Sequence, residues 1–183
     1  AIDLYKALLP KSSKESPSIS ASLLQNIGSS YRFLKQYENS LKYLIKSLPI
    51  QVELGLHKDS AHTCNDIAET YLDMNKLSEA KRYALKAIDF ARGYNLRQER
   101  YAYYVLYLID EKAQNYQNSL FNYKKYQKLE DSIFSLKKIN KIDDLRIKYE
   151  TEKQRLKIEN QESNLALLDA ENNVKNQWLL FGG

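Results

Sequence analysis

Between residues 61 and 94 small residues recur inside helix-like patterning, and their spacing limits the fold more than any other feature of the chain. Cys64, Ile67, Ala68, Tyr71 and Leu72 keep the three-and-four spacing of one helical face. Leu77, Ala80, Ala84, Ala87, Ile88 and Ala91 keep it again on a second face. Asn75 and Lys76 separate the two as a turn, and Gly93 stands where the second helix ends. Two antiparallel helices approach closely only where their facing residues are small, which is the service Ala68, Ala80 and Ala87 give. One such pair cannot bury both of its faces, so copies must stack on it.

Counted as a unit of about 34 residues from Ala61, the stretch resembles the tetratricopeptide (TPR) repeat, with small residues at positions 8, 20 and 27. Residues 21–54 carry the pattern too, with Leu24, Ile27, Gly28 and Tyr31 at positions 4, 7, 8 and 11, and Ser40, Leu44 and Ser47 at 20, 24 and 27. The next unit starts six residues late, so 55–60 is expected to lengthen the preceding helix and its turn. A third unit, roughly 100–133, puts Ser119 at position 20 and Tyr107 at position 8, with Leu108 as the alternative. Residues 1–10 read as the second helix of a unit whose first helix lies upstream, leaving Ile2, Tyr5 and Leu9 partly uncovered, and Pro10 is expected to end that helix. Five glycines, three prolines and no alternating strand pattern exclude a sheet. The expected fold is therefore all-α: a TPR α-solenoid of three repeats plus a half over residues 1–133, followed by a long C-terminal helix.

That helix, residues 134–177, lacks Gly and Pro and is densely charged. A heptad register places Ile142, Tyr149, Leu156, Ser163, Ala170 and Gln177 at a, and Leu145, Glu152, Glu159, Ala166 and Asn173 at d. So polar a seam predicts at most a weak homodimer through 134–177. Lysines and arginines of 137–157 alternate with acids, the mark of a solvated helix rather than a nucleic-acid-binding face. Residues 178–183, WLLFGG, read as the start of a transmembrane segment, or alternatively as a buried helix end.

No catalytic set is present: there is no Gly-rich phosphate loop and no Ser/His/Asp constellation, so the chain reads as a non-enzyme without cofactor. His57, His62 and Cys64 are close in sequence, but residues two apart on a helix do not face each other, and no metal site is expected. The candidate site is the concave groove. TPR first helices present positions 2, 5, 9 and 12 there, which nominates Gln25, Ser29 and Arg32, then His62, Asn65 and Glu69, then Tyr101, Tyr104 and Glu111. Amides, a guanidinium and tyrosines suit a peptide or protein ligand. TPR modules that clamp C-terminal carboxylates carry Lys and Asn where this chain has Gln25 and Ser29, so that specificity is not expected.

Taken together, KLEDSIF (128–134), KYETEK (148–153) and the apolar ending resemble the extracytoplasmic sensor regions of membrane-bound regulators of Bacteroidetes. The resemblance implies a sensory input domain ahead of one transmembrane helix and a histidine kinase or helix-turn-helix output. It implies an inner-membrane anchor with this region in the periplasm. Just before Trp178 only Lys175 is basic, against Asp169 and Glu171, which agrees with a non-cytoplasmic side. The alternative is a soluble TPR scaffold that joins protein partners.

Overall fold

The computed structural model describes the backbone of residues 2–181, and their side chains except at 11–15, 174 and 177–181. Seven helices follow in order: α1 Ile2–Glu15, α2 Pro17–Phe33, α3 Tyr37–Glu53, α4 His57–Asp73, α5 Leu77–Ala91, α6 Leu96–Lys112 and α7 Tyr116–Phe181. The chain divides into two compact units, residues 1–133 and 134–183. In the first, consecutive helices pack antiparallel, and α4 also touches α2 and α6. This is a TPR-type α-solenoid.

Helices begin every twenty residues or so, at Pro17, Tyr37, His57, Leu77, Leu96 and Tyr116, so the repeating pair spans about forty residues rather than 34. The expected lengthening at 55–60 is therefore corrected. Gly55 and Leu56 form the turn, and His57 to Ser60 open the next helix. The five turns from α2 onward are each closed by one left-handed residue: Lys35, Gly55, Asn75, Gly93 and Gln114 have φ between 58° and 79°. Around Lys35, its N–H donates to the Arg32 carbonyl at 2.8 Å and the Gln36 N–H donates to Tyr31 at 2.9 Å. These two bonds satisfy carbonyls that the helix end orphans. The same pair recurs at Gly55, Asn75 and Gln114.

α1 runs through Pro10, against expectation, and stops at Glu15. Proline forfeits its own N–H bond without always ending a helix whose turns pack elsewhere; α1 lies on α2, and the Lys6 ammonium donates to the Tyr31 hydroxyl at 2.6 Å. The break falls at Ser16, extended at φ −155°, because the residue before a proline avoids the helical region and Pro17 opens α2. Ile2, Tyr5 and Leu9 are half-buried.

The core is built of facing small and large residues. Ala61, Cys64, Ile67, Ala68, Ala80, Ala84, Ala87 and Ala91 are fully buried. Seven residues before the left-handed turn residue stand Gly28, Ala68 and Tyr107, and nine after it stand Leu44, Ala84 and Tyr123. A Cβ on Gly28 would lie 2.6 Å from the Leu44 Cγ, so the absent side chain is what admits the leucine. In the third pair Tyr107, not Leu108, takes the position, and its ring lies 5.3 Å from that of Tyr123. The stacked pairs Tyr31–Tyr43 and Tyr71–Tyr83 give way in the third repeat to Asp110, which accepts from Asn122 and from Lys81, both at 2.7 Å.

α7 starts at Tyr116, so the long helix is continuous with the second helix of the third pair instead of beginning near 134. Within the second unit every described side chain is exposed. Arg155 pairs along the helix with Glu152 at 2.8 Å and Glu159 at 3.3 Å.

Candidate functional site: a groove across the first helices

α2, α4 and α6 line up their faces on a cavity of 390 Å³. α2 supplies Asn26, Ser29, Arg32 and Phe33; α4 supplies His62, Asp66 and Glu69; α6 supplies Arg97, Gln98, Arg100 and Tyr101. Helical spacing of three and four puts each group on one face.

Hydrogen bonds cross the groove floor from helix to helix. The Ser29 hydroxyl donates to Asp66 at 2.6 Å, and His62 stands 3.8 Å from the other oxygen of that carboxylate. Arg32 reaches Glu69 at 2.8 Å and Asp73 at 3.5 Å. Tyr101 donates to the second Glu69 oxygen at 2.5 Å, which ties α6 to α4. Burial pushes the Glu69 carboxyl up, against the pull of Tyr101 and Arg32. Burial also raises the Tyr101 phenol, and its bond to Glu69 adds to this. Both carboxylates are thus engaged within the floor, whereas the rim keeps donors to spare. The exposed Arg97 makes no ion pair among the described residues, while the Arg32 and Arg100 Nε atoms, also without a partner there, are buried, and their guanidiniums pair with Glu69 and Glu130. A ligand that brings carbonyl or carboxylate oxygens matches that rim.

Of the residues nominated from sequence, Ser29, Arg32, His62, Glu69 and Tyr101 meet in this cavity. Gln25 and Asn65 do not. Gln25 is 6% exposed and accepts from Gln51 at 3.1 Å, while Asn65 is wholly buried and donates to the Gln98 side chain at 2.9 Å. They are ties between helices: Gln25 joins α2 to α3 of its own pair, and Asn65 joins α4 to α6 of the next. Tyr104 belongs to an aromatic cluster instead, 6.1 Å from Tyr101 and 5.5 Å from Tyr126. Glu111, exposed in the last turn of α6, accepts from Tyr107 and lies outside the cavity. Asp66, Asn26, Phe33, Arg97, Gln98 and Arg100 escaped the sequence reading. A forty-residue alignment, which begins the third first-helix at Leu96, brings Arg97 and Gln98 into that helix.

A second hollow of 390 Å³ lies between α3 and α5, lined by Leu48, Pro49, Val52 and Phe90 with Lys86 and Asp89. Among the described residues no group of three His, Cys, Asp or Glu is placed to hold a metal ion. Nor is any helix of them long and apolar enough to cross a membrane; the side chains from 177 onward, where the transmembrane start is expected, lie outside the described residues.

Residues 19–93 match the tetratricopeptide repeat family model. Among solved structures the chain is similar to BtubC (BKLC) from P. vanneervenii, with a TM-score of 0.64 at 13% identity over 72% of this chain and 56% of that one. It is also similar to a putative kinesin light chain from Podospora anserina with nearly identical TPR-like repeats, with a TM-score of 0.59 at 10% identity over 73% and 67% of the two chains. This chain thus spans little more than half the length of BtubC, and at such identities the likeness is one of fold. A comparison with curated proteins finds no match.

Proposed function

We propose that this chain is a protein-interaction module whose groove across α2, α4 and α6 takes an extended peptide segment. One observation carries the reading: the acids of the floor are engaged by Ser29, Arg32 and Tyr101, while unpaired donors, Arg97 foremost, remain at the rim. A peptide backbone with an acidic side chain or terminus supplies the missing acceptors. The test is a random-peptide display selection on the intact chain and on a variant carrying Asn26→Ala and Arg97→Ala. Binders that persist equally on the variant place the site elsewhere.

Two settings for that module differ in what they predict. As the periplasmic input region of an inner-membrane regulator, it would pass ligand binding along 134–177 to a segment entering the membrane after 178, and on to a histidine kinase or DNA-binding output. The motifs at 128–134 and 148–153 support this setting. As a free scaffold, the chain would join partners without an anchor. The charge order along the second unit, lysine-rich over 137–148 and acidic over 159–173, favours the scaffold. A phosphatase reporter fused after residue 133 separates the two, since it is active only if this region is exported.

A further inference from the structure

The second unit carries apolar residues that no described neighbour covers. Phe134, Leu145, Leu156 and Leu167 are 69%, 54%, 53% and 62% exposed, and they stand eleven residues apart. Eleven residues exceed three helical turns by about 20°, so the four form one stripe that winds slowly, about 60° over its length and opposite in sense to a heptad's drift. Along one edge of this stripe lie Lys141, Lys148, Glu152 and Glu159. Lys141 and Lys148 make no ion pair among the described residues, and Arg155 draws the two carboxylates along their edge from the solvent side.

The order of these residues is a mirror. Reversing the helix about the point between residues 150 and 151 exchanges Phe134 with Leu167 and Leu145 with Leu156. The same reversal, within half a residue, exchanges Lys141 with Glu159 and Lys148 with Glu152. Side chains on one edge of a helix meet their own edge only in an antiparallel pair, so apolar and charged partners come into register together. A parallel pair instead sets Lys141 and Lys148 beside Lys138 and Lys153 of the opposite edge, which repel. From 159 to 173 the acids Glu159, Glu162, Asp169 and Glu171 face no Lys or Arg in their own stretch, whereas 137–148 is rich in lysine. Leu136, Ile147 and Ile158 form another eleven-residue series about 200° round the helix. Asp143, Glu150 and Glu162 border it, and these like charges do not match copies of themselves.

We propose that two copies of this chain associate through residues 134–167 as an antiparallel pair, Phe134 against Leu167 and Leu145 against Leu156 of the second copy, with Lys141 facing Glu159 and Lys148 facing Glu152. This goes beyond the peptide-binding reading and does not depend on it. Two copies held in one membrane beyond residue 178 run parallel, so the antiparallel pair belongs to the free scaffold.

Cysteine cross-linking of the full chain reads the orientation directly, since Cys64 is buried and stays silent. Lys141→Cys and Glu159→Cys chains are oxidised separately and mixed. In the antiparallel pair residue 141 sits about 27 Å from its own copy, eighteen residues along the helix. A disulfide in the mixture and none in either chain alone is the expected result. A disulfide in either chain alone shows a parallel pair, and none in the mixture shows no pairing at this register; both overturn the proposal. A charge swap checks the same contacts in solution. Lys141→Glu with Lys148→Glu weakens the dimer at least about tenfold by sedimentation, with helicity unchanged. Adding Glu152→Lys and Glu159→Lys, together with Arg155→Glu to keep their pairing along the helix, restores it, and a failure to restore also overturns the proposal.

Discussion

Gly28 and Leu44 occupy one volume between α2 and α3, which two small residues, Ala68 and Ala84, fill between α4 and α5, whereas between α6 and α7 the same positions hold Tyr107 and Tyr123, whose rings pack on each other partly exposed. The same backbone contact is met by three different partitions of side-chain bulk. The pair Gly28 and Leu44 therefore behaves as one unit. Gly28→Ala forces a Cβ to 2.6 Å from the Leu44 Cγ and 3.1 Å from the Ser40 carbonyl oxygen, and costs about 1–3 kcal/mol. With Leu44→Ala added, the site becomes the Ala–Ala arrangement of the next repeat. A double-mutant cycle in urea gives a favourable coupling of about 0.5–3 kcal/mol, and strict additivity shows that the two do not share the volume. Ala80→Leu, at a fully buried position with no compensating neighbour, costs about 1–3 kcal/mol and lowers the thermal midpoint.

The left-handed turn residues give a prediction of opposite sign. Lys35 and Gln114 adopt φ of 58° with a Cβ that disfavours it. Lys35→Gly removes that strain and is offset in part by the greater freedom of glycine in the unfolded chain. The expected gain is about 0.5–1 kcal/mol by chemical denaturation, and a loss shows that Lys35 makes a stabilising contact through its side chain.

Cys64 is fully buried in the α4–α5 core, and burial pushes its thiol up from 9.0 to about 12. The thiol therefore stays protonated and closed to reagents at neutral pH. Ellman's reagent reacts with the native protein only at the rate of unfolding and at once in guanidinium. Rapid labelling of the native state contradicts the packing of α4 on α5.

The Tyr101 phenol is raised above its ordinary 10.0, so it keeps its proton longer when folded than when unfolded. A raised group contributes stability that is whole below the unfolded pKa and is lost as pH rises through the folded one. The thermal midpoint of the native chain falls more steeply from about pH 9 to about pH 11 than that of Tyr101→Phe. At neutral pH the same substitution removes the donor to Glu69 and costs about 1–3 kcal/mol. Equal alkaline slopes show that Tyr101 is not held by Glu69.

The helix faces at 64–72 and 77–91 and the turn at Asn75 and Lys76 were legible because small residues and a turn coincide there. The forty-residue period was not, since a 34-residue template counts from Ala61 and so assigns the first turn of α4, His57 to Ser60, to the connection before it. Pro10 misled because a local breaker says nothing of the packing of α1 on α2, whereas Ser16 and Pro17 together do break the helix. In the groove, Ser29, Arg32, His62, Glu69 and Tyr101 were within reach of the repeat template. Gln25 and Asn65 hold groove positions of the repeat template, and a polar side chain there looks the same in sequence whether it meets solvent or another helix's glutamine. Asp66 was passed over for lack of any cue that Ser29 lies across from it.

Hydrogen exchange of the intact chain with a peptide from the display selection, followed by mass spectrometry, tests the groove most directly. Slowed exchange is expected in the segments 26–33, 62–69 and 97–101, which face the cavity, with 134–168 unchanged. Protection confined to 48–52 and 86–90, beside the hollow between α3 and α5, contradicts the account.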